Sequence, residues 1–90
     1  MESVTSFGLK KRRSWLQISK DILEMCLDGR KTTQIVYGTN IAFPRFKEYS
    51  EYLVEKGLIK RESLVYVTTE KGRLFIELMD EIMGIFKEAE

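Results

Sequence analysis

From residue 14 onward the apolar residues follow two kinds of spacing. Trp15, Ile18, Ile22, Met25 and Cys26 recur at three- and four-residue steps. That is the stripe of an amphipathic helix. It predicts a first helix over 14–28, with Ser14 as N-cap and Gly29 in the left-handed position that closes it. A short second helix is predicted over 33–37, capped by Thr32 or Thr33, with Ile35 and Val36 apolar and Gly38-Thr39-Asn40 forming a tight turn. A third helix is predicted over 43–56, with Phe46, Tyr49, Leu53 and Val54 inward. Pro44 fits only because a first-turn N–H has no partner inside the helix. Gly57 ends this helix, and Leu58 and Ile59 return to the core.

The pattern then turns extended. Residues 58–61 and 64–68, joined near Glu62-Ser63, read as a hairpin, since Val65, Tyr66 and Val67 suit a pleated, half-buried surface. Thr68 or Thr69 caps a last helix running to about 87. Its apolar residues, Leu74, Phe75, Ile76, Leu78, Met79, Ile82, Met83, Ile85 and Phe86, are too many for one face. Phe75, Met79, Ile82 and Phe86 keep the alternating four- and three-residue steps of a coiled coil. A second copy of the chain is the simplest cover, with Phe75, Leu78, Met79, Ile82, Met83 and Phe86 as the candidate dimer interface.

Helix, helix, helix, hairpin, helix is an α+β arrangement, mostly α. Ninety residues make one domain, and a chain this short buries only about 60–65% of its unfolded surface, which also favours a dimer. The chain divides into a flexible basic arm over 1–13, a globular unit over 14–68 and a dimerisation helix over 69–90. Residues 1–61 hold twelve Lys and Arg against seven Asp and Glu, a balance of +5. Residues 62–90 hold three against seven, a balance of −4. One surface for a polyanion and another for a different partner would produce this asymmetry, as would chance scatter of surface charge.

With no histidine and one cysteine, the usual general base and the Cys/His zinc site are excluded, and no cofactor or metal is expected. No glycine-rich phosphate loop or nucleophile elbow is present. Carboxylate pairs such as Asp21 and Glu24 have no nucleophile or metal ligand beside them, so an enzyme is not expected. No apolar run reaches 18 residues and no apolar stretch follows the N-terminal basic residues, so neither a membrane span nor a secretory signal is expected. A lone cysteine fits a reducing, intracellular (cytoplasmic) setting. Cys26 and Trp15, both on the first apolar stripe, read as core.

Several strings resemble the small archaeal winged helix-turn-helix DNA-binding proteins that carry a C-terminal dimerisation helix. Lys31-Thr32-Thr33-Gln34-Ile35 resembles their second-helix start, and Asn40-Ile41-Ala42-Phe43 their turn into the recognition helix. Tyr52-Leu53-Val54-Glu55-Lys56-Gly57-Leu58-Ile59 resembles the end of that helix, and Val67-Thr68-Thr69-Glu70-Lys71-Gly72 the exit from the wing. The resemblance covers about 14–86. It implies a winged helix that binds double-stranded DNA as a homodimer, as a nucleoid-associated protein or transcription regulator. There are two departures. Ala42 stands where a capping serine is usual, and the last helix is shorter than in relatives with long antiparallel coiled coils.

In such a fold the start of the third helix reads base edges while Lys and Arg neutralise phosphates. If Phe46, Tyr49 and Leu53 point inward, Arg45, Lys47 and Glu48 point out. Arg45 and Lys47 are then groove contacts, and Glu48 an acceptor for a cytosine amino group or a repeller of phosphate. Asn40 and Phe43 flank them. Thr32, Thr33 and Gln34 at a helix start suit a phosphate and also suit ordinary capping. Lys60 and Arg61 would contact DNA from the wing or simply protect an edge strand. Lys11, Arg12 and Arg13 would reach the backbone as an arm or serve as a solubilising tail. The competing function is a winged-helix protein-interaction module, because fold does not fix function.

Overall fold

The computed structural model describes residues 13–89, with side chains through Phe86. Helix α1 spans Trp15–Met25, strand β1 Arg30–Lys31, helix α2 Thr32–Thr39 and helix α3 Phe43–Glu55. Strands β2 (Ile59–Glu62) and β3 (Val65–Thr68) form the hairpin, and helix α4 runs over Glu70–Ala89. The order is the one expected from the spacing, apart from β1. Ser14 caps α1, its hydroxyl accepting the Gln17 N–H at 3.2 Å. The helix stops three residues short of the expected end, with Cys26 as its cap, and Gly29 takes its positive φ of 89° one turn later. Helix α2 starts at Thr32, so Lys31 rather than a threonine is the cap. The Lys31 N–H donates to Gln34 Oε1 at 3.0 Å. Gly38 and Thr39 stay helical, and the left-handed residue that turns the chain is Asn40, at φ 60°. Ala42 caps α3 without a side-chain hydrogen bond, as its methyl group dictates.

The core joins α1 (Ile18, Ile22, Leu23, Cys26) to Ile35 of α2, Phe46 and Leu53 of α3, Ile59 and Tyr66 of the hairpin, and Ile76 of α4. Two readings of the stripes need correction. Trp15 is 56% exposed because it opens α1 before the helix reaches the core, and Val54 is exposed on the flank of α3. Tyr49 is half-buried, and Ser50 takes the inward place that periodicity had offered to Val54.

The sheet is antiparallel in the order β1-β3-β2. Its middle strand is bound to α1 by two hydrogen bonds. Thr68 Oγ1 donates to the Leu23 carbonyl at 2.6 Å and the Thr68 N–H to the Cys26 carbonyl at 3.0 Å. The exit into α4 is tightly set. Thr69 Oγ1 accepts the Gly72 N–H at 3.1 Å and donates to the Gly57 carbonyl at 2.6 Å, which makes it a true N-cap. A Cβ on Gly72 would meet the Leu58 carbonyl and lie 2.6 Å from Thr68 Cγ2, so only glycine fits. Farther along α4, Asp80 is paired with Lys20 Nζ at 3.1 Å, and the same ammonium holds Glu24 at 2.9 Å. Burial alone would lower the Lys20 pKa, but these two carboxylates outweigh it and hold it above the ordinary lysine value.

Candidate nucleic-acid interface

The turn at Asn40 carries α2 into α3, with Ile41 buried beneath it. Arg13 braces this corner. Its guanidinium donates to the Thr39 carbonyl at 2.8 Å and to the Asp21 carboxylate at 2.7 Å. Arg13 is thus engaged within the domain, whereas Lys11 and Arg12 lie outside the described residues. Along α3, Phe46, Ser50 and Leu53 face the core, which turns Arg45, Lys47 and Glu48 to solvent as the periodicity implied. Phe43 and Pro44 are exposed in the first turn, and Arg45 is drawn over the Tyr49 ring, 5.9 Å from its centroid.

Start and middle of α3 differ in charge. Glu48, Glu51 and Glu55 are all exposed and recur at three- and four-residue steps, directly opposite the buried stripe. The outermost ridge of the helix is therefore acidic, and the cations sit on its flanks. Reading outward-pointing residues one at a time missed this ridge; the three-and-four spacing of the glutamates carried the signal.

At the start of α2, Thr33 and Gln34 are exposed and Thr32 is half-buried, and the Gln34 side chain is used by the Lys31 N–H. Tyr37, 91% exposed on the same helix, was not among the expected contact residues. In the hairpin, only Ile59 of β2 is buried, leaving Lys60, Arg61 and Glu62 on the surface. Lys60 pairs with Glu62 at 3.0 Å, an exposed pair of small worth. Ser63 turns the hairpin at φ 59°, and Leu64 beside it is exposed.

Strand β1 adds what the sequence reading lacked. The register sets Arg30 opposite Tyr66 and Arg61 opposite Tyr66 from the other side. Directly paired residues share a face of the sheet, so the two arginines flank one tyrosine. The Arg61 guanidinium lies 5.6 Å from that ring's centroid, and the ring meets Phe46 edge-on at 5.7 Å. Phe46 of α3 and Arg61 of β2 thus meet on the same ring. Cys26 stands apart from this chemistry. It is fully buried, and burial pushes its thiol up to about 11 despite the pull of the Arg30 charge, so it stays protonated at neutral pH.

Residues 12–87 match the family model described as winged helix-turn-helix. The chain belongs to the winged helix-turn-helix family. Its fold is the α+β, mostly α winged helix expected above. Among solved structures it is similar to Sso10a-2, a DNA-binding protein from Sulfolobus solfataricus. The two are 30% identical with a TM-score of 0.74, over 86% of this chain and 85% of that one. Two uncharacterized proteins of Methanocaldococcus jannaschii are also similar. One is 35% identical over 55 residues, and this chain spans 26% of its length. The other is 27% identical over 75 residues, and 77% of its length is covered. In this winged helix-turn-helix chain α3 holds the recognition-helix position, and the β2–β3 hairpin is the wing.

Proposed function

We propose that this protein binds double-stranded DNA as a homodimer, without cofactor, metal or catalytic activity, and regulates transcription or coats DNA inside the cell. The reading is carried by exposed Arg45 and Lys47 in the first half of the recognition helix of a chain similar over most of its length to a DNA-binding protein. Arg45 and Lys47 take the groove, with Phe43, Asn40 and Glu48 around them. The start of α2 (Thr32, Thr33, Gln34) and the wing (Lys60, Arg61) take phosphates.

The dimer rests on α4. Met79 is only 9% exposed and Phe75 packs on the core, so these two serve their own domain. The uncovered stripe is Leu78, Ile82 and Ile85, stepping by four and three, with Leu74 and Phe86 beside it, while Met83 continues the inward line of Gly72, Ile76 and Met79. Leu78 is 50% exposed, Ile85 64% and Phe86 67%. A two-fold contact between copies of this stripe covers it with itself. A specific observation, the acidic ridge of Glu48, Glu51 and Glu55, favours the alternative of a protein-interaction module, since it would repel phosphate.

The deciding experiment is fluorescence anisotropy on a random-sequence duplex at 50 and 200 mM salt. About four phosphate contacts would weaken binding on the order of 10²-fold between these conditions. Arg45→Ala should cost about 1–3 kcal/mol on the preferred sequence if it reads a base. No binding at low salt would transfer the charged face to the protein-interaction reading.

A further inference from the structure

Beside the recognition-helix face, on the flank of α3 that meets the start of α1, lies an open groove of about 430 Å³ lined by Trp15, Arg45, Glu48, Tyr49 and Tyr52. Its walls are aromatic or charged, and none is aliphatic. Trp15 and Tyr52 are only part-covered, 56% and 43% exposed, and stand perpendicular with ring centroids 6.3 Å apart. Arg45 lies over Tyr49 at 5.9 Å, and Lys56 over Tyr52 at 5.5 Å. On the helix these two cations are roughly 16 Å apart, with the aromatic rings between them.

We propose that this groove is a second nucleic-acid site, one that takes the unpaired nucleotides of a single strand. Bases stack on Trp15 and Tyr52 while Arg45 and Lys56 hold the phosphates at either end. Stacking platforms bounded by cations are the recurring solution for single strands, because every base has a π-face whatever its sequence. A docked peptide helix or strand would instead ask for an aliphatic floor to take its anchor side chains, and this groove has none; a proline-rich peptide also seats on aromatic walls but brings no phosphates for the cations Arg45 and Lys56. Glu48 lines the outer wall. It keeps phosphates to the Arg45–Lys56 edge and can accept from an exocyclic amino group of a base turned toward it. The site does not depend on the duplex reading, although Arg45 stands where the two surfaces meet.

Trp15 is the sole tryptophan, so its emission reports this groove in the full-length protein. Titration with oligodeoxythymidylate should quench that emission saturably, and the quench should weaken with salt. Tyr52→Leu should lower affinity for the labelled oligonucleotide about tenfold or more, and Lys56→Gln, an exposed change that leaves the core intact, several-fold. Both variants should bind a blunt duplex as the unaltered chain does. Circular dichroism melts confirm that Tyr52→Leu is folded, and Lys56→Gln carries the test alone if it is not. Absence of quenching by the oligonucleotide would overturn the proposal, as would equal losses for duplex and single strand. Equal quenching by polyglutamate at matched charge would assign the groove to an acidic protein and also overturn it. Failure here with intact salt-dependent duplex binding leaves the function proposed above standing.

Discussion

Helices α3 and α4 are both amphipathic, and they treat their outward faces in opposite ways. In α3 the inward residues are Phe46, Ser50 and Leu53, and the face opposite carries three glutamates. Nothing about that face disfavours water. In α4 the first half is inserted into the domain through Gly72, Ile76 and Met79, while Leu74, Leu78, Ile82, Ile85 and Phe86 remain uncovered on another side. Isolated exposed apolar residues are ordinary, but a run of them at coiled-coil spacing on one helix is not. The comparison separates a surface made for solvent and ions from one that is complete only against another surface.

The sharpest way to break this contrast is to charge the α4 stripe. Leu78→Lys with Ile82→Lys should turn a dimer into a folded monomer in sedimentation velocity. Full burial of such a side chain is worth about 1.5–3 kcal/mol; each is already half covered and occurs twice across a two-fold contact, so the loss is about 3–6 kcal/mol. Glu51→Lys on α3 should leave the sedimenting mass unchanged. Equal masses for all three proteins would remove the distinction between the two helices.

Two glycines of α4 sharpen it further. Gly72→Ala forces a methyl group against the Leu58 carbonyl and Thr68. It should cost about 1–3 kcal/mol in a denaturant melt. Gly84→Ala meets nothing within 4 Å and should add roughly 0.5–1 kcal/mol through helix propensity alone. A loss at Gly84 as large as that at Gly72 would mean that the far half of α4 is as crowded as its start.

Much of the fold was legible because local chemistry and periodicity agreed. Ser14, Pro44, Gly57 and Thr69 each punctuate the chain for a backbone reason that is visible in the residue itself. Strand β1 was not legible. Two residues cannot show an alternation, and Arg30 and Lys31 pair only because β3 is brought beside them. Trp15 was misplaced because a stripe gives a direction around the helix and not the point along it where the core begins. The α4 seam was drawn through Phe75 and Met79 for a related reason. With two apolar stripes on one helix, spacing alone cannot say which one the chain's own domain will claim. The acidic ridge and the aromatic flank of α3 were both readable from spacing, but they appear only when outward residues are sorted around the helix rather than singled out.

The joint at the base of α4 also has a mechanical consequence. Past Asp80, where it is still pinned to the domain, the helix extends about 14 Å to Ala89, and its angle is set by the Gly72 contacts and the Lys20–Asp80 pair. A rotation of about 10° there moves the far tip about 2–3 Å, comparable with the roughly 3.4 Å rise per phosphate along the duplex axis. In the proposed dimer, the helix is a lever arm and the joint its bearing. The phasing between two half-sites on DNA is then governed inside each domain, and a change at Lys20 or Gly72 would shift it without touching either the dimer seam or a nucleotide.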